Sequence, residues 1–383
     1  MLIHFLLIVE KLNITIRPTQ HHHGNLTPKL FTFAPQLQSM KRGFLLMNLG
    51  SPESTERKDV KKYLDEFLMD ERVIDKPWLF RLLLVKGIIT PFRASKSAEA
   101  YKTIWTPEGS PLIVISRQLQ EALQKQLSEP VELAMRYGSL TPRRAFDALL
   151  KREPGLEEVL AVPLYPHYAM SSYETAVEHA RRQYQENRYP FKLRFIKPFY
   201  KEPDYIRALA ESIGPYLEKP YDHILFSYHG IPARHLHRGE PEALASCLAS
   251  HGECAPGSKD YETCYKRQAF VTTHLVMESL GVPREKYSIA FQSRLGKGWL
   301  EPFTDKRLQA MPAEGIKNLL VLCPAFVSDC LETLEEIEER GKELFLGAGG
   351  ESFHMIPCLN TQPQWVSVLK KWLEDPREML LEK

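Results

Sequence analysis

His229 closes the apolar run 224–228, ILFSY, and the Gly230-Ile231-Pro232 behind it stops the chain from running on into a helix. The imidazole therefore falls at the carboxyl end of a predicted strand. That edge of an open α/β sheet is where ligands bind, and a histidine there can serve as a base or a metal ligand. A core histidine hydrogen-bonded to backbone is the plainer alternative. A hundred residues later the run 319–323 ends at Pro324, and from Asp329 the chain reads DCLETLEEIEER. Leu331, Leu334, Ile337 and Leu344 recur at helical spacing, which predicts a helix beginning near Asp329. Glu332, Glu335, Glu336, Glu339 and Glu343 form a carboxylate stripe on its other side, a row that ends in Arg340. This stripe also has an ordinary reading: Asp329 and Glu332 have the spacing of a capping box, acids suit a helix's first turn, and charged stripes usually face solvent. Chemically, neighbouring carboxylates repel one another and attract a divalent cation. Imidazole with carboxylate is a nitrogen and oxygen donor set that suits iron(II).

The elements that must position these groups alternate. Apolar runs rich in β-branched residues, Leu and Phe predict strands at 44–49, 132–137, 159–164, 193–197, 224–228, 288–292, 319–323 and 353–357. Amphipathic stretches predict helices at 55–69, 112–127, 142–151, 174–186, 203–217, 262–280 and 331–346, with a last one at 364–373 that puts Trp365, Val366, Leu369, Trp372 and Leu373 on one face. Strand, helix, strand repeated in this way implies an α/β protein with parallel sheets covered on both faces. Its 383 residues exceed what one core usually serves, so the expectation is two four-stranded doubly wound domains, 41–198 and 199–360, with 361–383 returning to the first. His229 and Glu332 then sit beyond strands of the same second domain, placed to share one pocket. No G-x-G-x-x-G or P-loop follows an early strand, which leaves nucleotide binding with little support.

Composition narrows the class further. Lys plus Arg number 50 against 48 Asp plus Glu, with no basic block, so nucleic acid is not an expected partner. The six cysteines, Cys247, Cys254, Cys264, Cys323, Cys330 and Cys358, contain no C-x-x-C pair, and a reducing cytoplasm suits them. The apolar stretch 2–9 is too short to span a bilayer and lacks a basic start. Residues 1–40, with His21 to His23, show no sustained period and read as a disordered or non-native extension, with Met40 as the expected true start.

MNLGSPES from Met47, RYGSLTP from Arg136, VPLYPHYAMSS from Val162, ILFSYHGIP from Ile224, FQSRLGKGWLEPFTD from Phe291 and CPAFVSDCLETLEEI from Cys323 resemble, in order, the motifs of the ferrochelatase family. The resemblance covers about 40–372, and the pairing of the SYHGIP segment with the SDxxET segment is its most specific part. It implies two Rossmann-like domains, each a four-stranded parallel sheet flanked by helices, with a cleft between them. The implied reaction is insertion of Fe(II) into protoporphyrin IX to give protohaem, with loss of two pyrrole protons.

On that resemblance His229 and Glu332 are catalytic, and His229, Glu332, Asp329 and Glu336 are the implied metal-handling set. Leu49, Arg93, Tyr101, Arg136 and Trp299 match positions that hold the porphyrin, Arg93 at a propionate. For Arg136 and Trp299 a surface ion pair and a core aromatic are the ordinary alternatives. The segment 78–92, WLFRLLLVKGIITPF, resembles the family's hydrophobic lip and is a candidate for peripheral membrane contact; a buried helix is its alternative. The implied location is the cytoplasm, at most peripheral to the inner membrane, as a monomer or homodimer. A coproporphyrin or other tetrapyrrole chelatase, or a non-catalytic porphyrin or haem carrier, remains as the rival reading.

The chain departs from the family pattern in two places. Cys330 stands where many members carry His, which puts a metal-relay role there in doubt. Some relatives hold a two-iron two-sulfur cluster on four cysteines, whereas only Cys247, Cys254 and Cys264 are local here, which weighs against a cluster.

Overall fold

The computed structural model describes residues 40–236, 247, 261–294 and 298–382. The expected amino-terminal extension and Cys254 lie outside these residues. Eight strands form two sheets among them. β1 (Arg42–Asn48), β2 (Val131–Met135), β3 (Glu158–Pro163) and β4 (Lys192–Phe195) pair in the order β2-β1-β3-β4, all parallel. β5 (His223–His229), β6 (Tyr287–Gln292), β7 (Asn318–Leu322) and β8 (Ser352–Met355) repeat that arrangement as β6-β5-β7-β8. All eight predicted strands are present, each displaced by a residue or two.

Their continuous apolar character follows from burial on both faces. In β1, Phe44 and Leu46 join one core while Leu45 and Met47 join another on the opposite side, where α5 (Pro142–Arg152) and α6 (Thr175–Glu186) cover the sheet. In the second sheet Ile224, Phe226 and Tyr228 of β5 join the same core as Phe44 and Leu46, so one apolar layer runs between the two sheets. The boundary expected at 198/199 falls just before α7 (Pro203–Leu217), whose Tyr205 and Leu209 belong to that shared layer.

The other helices are α1 (Arg57–Leu68), α2 (Trp78–Leu82), α3 (Thr90–Ile104), α4 (Pro111–Gln124), α8 (Tyr265–Ser279), α9 (Thr304–Ala310), α10 (Leu331–Thr333, Leu334–Glu339 and Arg340–Gly347) and α11 (Pro363–Glu374). Pro begins α4, α5, α7 and α11, where its missing N–H costs nothing and its fixed φ suits the first turn. α11 buries the five residues predicted for it and packs against both α4 and α7. Past it, Leu381 N donates to Phe195 O at 2.8 Å, tying the tail to the end of β4. The lip is longer than the sequence suggested: a wide π turn, Leu83–Ile89, joins α2 to α3, which runs on to Ile104.

Within each sheet the chain runs from its first strand to one side and then returns to the other. This creates a switch point between β1 and β3 and another between β5 and β7, where the loops part and leave a crevice at the carboxyl edge.

Candidate active site

The two crevices face a common cleft. It is lined from the first sheet by Asn48 to Ser51 at the end of β1 and by Leu164, Tyr165, His167 and Ala169 after β3, and from the second by His229 at the end of β5 and Ala325 to Ser328 after β7. Tyr63 and Phe67 of α1 and Tyr101 of α3 close one side. Of the predicted residues, His229, Glu332, Leu49 and Tyr101 meet here. Glu332 is the one carboxylate among the described lining residues, and no Lys or Arg accompanies it.

His229 is the last residue of β5, fixed through its main chain: its carbonyl accepts from the Tyr265 hydroxyl at 2.9 Å, and Gly230 N donates to Gln292 O at 2.7 Å. Burial lowers the His229 pKa, and the Glu332 carboxylate opposes that shift. The imidazole is thus neutral at neutral pH, with a lone pair available. Phe326 presents itself edge-on at 6.3 Å between ring centroids. Gly230 is required by the close approach of β6, because a Cβ there would lie 2.6 Å from Gln292 O. Gly230→Ala should cost about 1–3 kcal/mol by overpacking and shift His229 with it. Urea unfolding checks the stability, and a variant as stable as the parent would contradict this account.

Glu332 enters on α10, whose cap differs from the predicted one. The helix starts at Leu331 with Cys330 as N-cap and Thr333 as its reciprocal partner, rather than with Asp329 and Glu332. Asp329 is instead consumed by the loop. Its oxygens accept from Asn360 Nδ2 at 2.6 Å, Thr333 Oγ1 at 2.9 Å and Cys358 N at 3.3 Å, and it does not line the cleft. A wide π turn over Leu334–Glu339 then breaks the 3.6-residue period that the predicted stripe assumed. As a result Glu335 and Glu336 turn inward, whereas Glu338, Glu339 and Glu343 are exposed.

Glu336 faces a second, more open cavity that also receives Arg93, Lys96, Arg294 and Arg340. The Glu336 pKa is raised to about 7, first by burial and next by Glu332; Ser293, which donates to it, and Arg340 work in the other direction. Arg93 therefore joins Glu336, not His229.

The remaining two predicted residues stand behind the walls. Arg136 donates to Asp70 Oδ2 at 2.5 Å and to Thr175 Oγ1 at 2.7 Å and lies 4.2 Å from the Tyr137 ring centroid, a buried ion pair that lines neither cavity. Trp299 bridges to Pro232, with its ring edge 3.4 Å from where a Gly230 Cβ would sit.

His167 was not singled out in the sequence, although it lies just beyond the carboxyl end of β3, as His229 lies at the carboxyl end of β5. It is buried and lines the cleft. Thr272 donates its one hydrogen to Tyr200 O at 2.6 Å, so its oxygen must accept from His167 Nε2 at 2.9 Å. Nδ1 is then the bare acceptor, without a partner among the described residues, and burial lowers the pKa to about 3, which keeps the ring neutral.

No group of three or more His, Cys, Asp or Glu side chains among the described residues is arranged to hold a metal ion. Cys247 and Cys264 lie with sulfurs 3.5 Å apart, and burial raises the Cys323, Cys330 and Cys358 thiols.

The sequence profile of the Ferrochelatase family matches residues 41–376. This chain belongs to that family. Proteins named Ferrochelatase from Ectopseudomonas mendocina and Azotobacter vinelandii are 48% and 47% identical to it, over 85% and 87% of this chain and 95% and 98% of theirs. A third, from Opitutus terrae, is 48% identical over 87% of this chain and 98% of its own. Among solved structures, SirB from Bacillus subtilis with Fe3+ matches with a TM-score of 0.49 at 12% identity, covering 88% of this chain and 95% of that one. As a member of the ferrochelatase family the protein is an enzyme, a lyase that places a metal in a tetrapyrrole.

Proposed function

We propose that the protein inserts Fe(II) into protoporphyrin IX, with His229 and Glu332 as its catalytic pair. The observation that carries this assignment is a neutral imidazole beside a lone carboxylate in an otherwise uncharged cleft, at the switch points of both sheets. Two pyrrole protons must leave as the metal enters. His229 takes the two protons in turn through its lone pair, releasing the first to water before it accepts the second, and Glu332 stabilises the imidazolium formed each time. Leu49, Tyr101 and Phe326 supply walls against which a flat macrocycle can be bent to expose its nitrogens. The ring carboxylates go to Arg93 and Lys96 in the adjoining cavity, which provides the cations the cleft lacks. Glu336, with Glu332, forms the carboxylate route for the metal; Asp329 supports that route by holding the loop, and Arg136 and Trp299 brace the walls. Cys247 and Cys264 lie side by side, two thiols where a two-iron two-sulfur cluster takes four thiolates, and the reaction as proposed uses no cluster.

Anaerobic mixing of the protein with Fe(II) and protoporphyrin IX, followed by loss of porphyrin fluorescence, tests this reading. Turnover supports it. Tight porphyrin binding without turnover, with coproporphyrin or other metals also inert, would mean a carrier.

Protonation of Glu336 competes with metal binding. The apparent KM for Fe(II) should therefore fall as pH rises through about 7, and Glu336→Gln should flatten that dependence. The sign for stability is the reverse. A carboxyl raised from 4.5 to about 7 favours the fold while protonated, and that contribution is lost as pH rises across this interval. Initial rates against Fe(II) concentration at several pH values read the first effect; a KM independent of pH would sink it.

The lip is proposed to rest on a membrane surface. Trp78, Leu79, Phe80, Leu83, Ile88 and Phe92 are exposed, Phe92 at 79%, and no acid lies between Lys76 and Ala98. No helix among the described residues is long and apolar enough to cross a membrane. Cosedimentation with anionic vesicles should be strong for the parent and weak for Leu79→Asp with Phe92→Asp; equal binding would rule out the lip.

A further inference from the structure

The two inward-turned carboxylates of α10, Glu335 and Glu336, carry a cation on their solvent side. One helical turn beyond Glu336, Arg340 places its guanidinium 2.8 Å from Glu335 and 3.5 Å from Glu336, in the cavity that Glu336 faces. The same cavity holds Arg93, Lys96 and Arg294, of which Arg294 is paired with Asp305 at 2.5 Å. A divalent cation approaching Glu336 from this side meets a fixed positive charge already occupying the carboxylates that would attract it. Nothing in the packing demands Arg340: its side chain is half exposed, so its effect is one of charge rather than of core structure.

We propose that Arg340 is a specificity-determining residue that guards the solvent end of the carboxylate row and restrains access of divalent metal to Glu336 and Glu332. The proposal rests on the reading that these two carboxylates handle the metal. Removing the charge releases Glu335 and Glu336 and removes a cation from the route. With its guanidinium half exposed and screened by solvent, Arg340 should change metal affinity by roughly tenfold or less.

The test uses the full chain with Zn(II), which is stable in air, and protoporphyrin IX. Arg340→Gln should lower the apparent KM for Zn(II) by about three- to tenfold, while kcat and the porphyrin KM stay put. Arg340→Lys should behave as the parent, and the difference between Gln and parent should narrow in high salt, which a purely structural role would not produce. In calorimetry on the porphyrin-free protein, Zn(II) affinity should tighten by the same factor in Arg340→Gln, and this gain should vanish in the Arg340→Gln, Glu336→Gln double variant. An unchanged metal KM and affinity would overturn the proposal, as would a raised porphyrin KM alone, which would make Arg340 a contact of the ring carboxylates. A parent that turns over no metal would defeat the chelatase reading, and the calorimetric comparison would still decide the role of Arg340.

Discussion

His229→Ala should lower kcat for iron insertion by two to four orders of magnitude and leave porphyrin affinity within a few-fold of the parent. The asymmetry follows from how the residue is held. Its main chain is fixed by Tyr265 through the carbonyl and by the neighbouring Gly230–Gln292 hydrogen bond, so truncation removes the imidazole without releasing β5. The cleft's apolar walls, proposed to hold the ring, are untouched. What disappears is the neutral lone pair that burial maintains. The pH dependence carries a further signature. Because burial lowers the His229 pKa, the acid limb of kcat should lie below the ordinary imidazole range. Glu332 raises that pKa, so Glu332→Gln should move the limb lower still, besides reducing kcat. Stopped-flow or steady-state insertion rates from acid to neutral pH would read both. Retention of more than a tenth of the parent rate by His229→Ala would remove this residue from the reaction.

The parts of the site that were legible in the sequence are those set by short-range rules. Strands buried on both faces must be continuous apolar runs, and a glycine with a proline directly beyond such a run must end it, which places His229 without any knowledge of its neighbours. The carboxyl-edge argument applies equally to His167 and would have found it had Tyr165-Pro166-His167 been treated as Tyr228-His229-Gly230 was. Long-range pairings were not legible. Asp329 looks like a helix cap until Asn360 and Cys358, some 30 residues on, claim its oxygens. Arg136 looks available for substrate until Asp70, 66 residues earlier, is seen to hold it. The π turn in α10 has no composition of its own, and a stripe drawn at 3.6 residues per turn cannot anticipate which acids a wider turn carries inward. The resemblance to the ferrochelatase family supplied the chemistry that spacing alone left open between a metal route and a solvated face.

Trp365→Ala should cost about 3–5 kcal/mol, the largest stability loss expected from a single substitution outside the cleft. Trp365 is fully buried where α11 meets the shared core, with ring centroids of Phe199, Trp372 and Tyr205 at 5.7, 5.8 and 6.1 Å. Truncation opens a cavity among rings held by α7, by α11 itself and by the segment between β4 and α7, which cannot all move in to close it. The loss should also reach the active site. Tyr205 packs on Trp365 and donates its hydroxyl to Pro324 O at 3.1 Å, and Pro324 begins the loop that supplies Ala325 to Ser328 to the cleft wall. Trp365→Phe separates packing from hydrogen bonding. The indole Nε1 has no partner among the described residues, so Phe forfeits no bond and should cost about 1.5 kcal/mol or less. Urea unfolding of the two variants, with porphyrin affinity measured on each, checks the chain of contacts. A Phe variant as damaged as Ala would mean that Nε1 carries an interaction, whereas an Ala variant with unchanged porphyrin affinity would uncouple Trp365 from the wall through Tyr205.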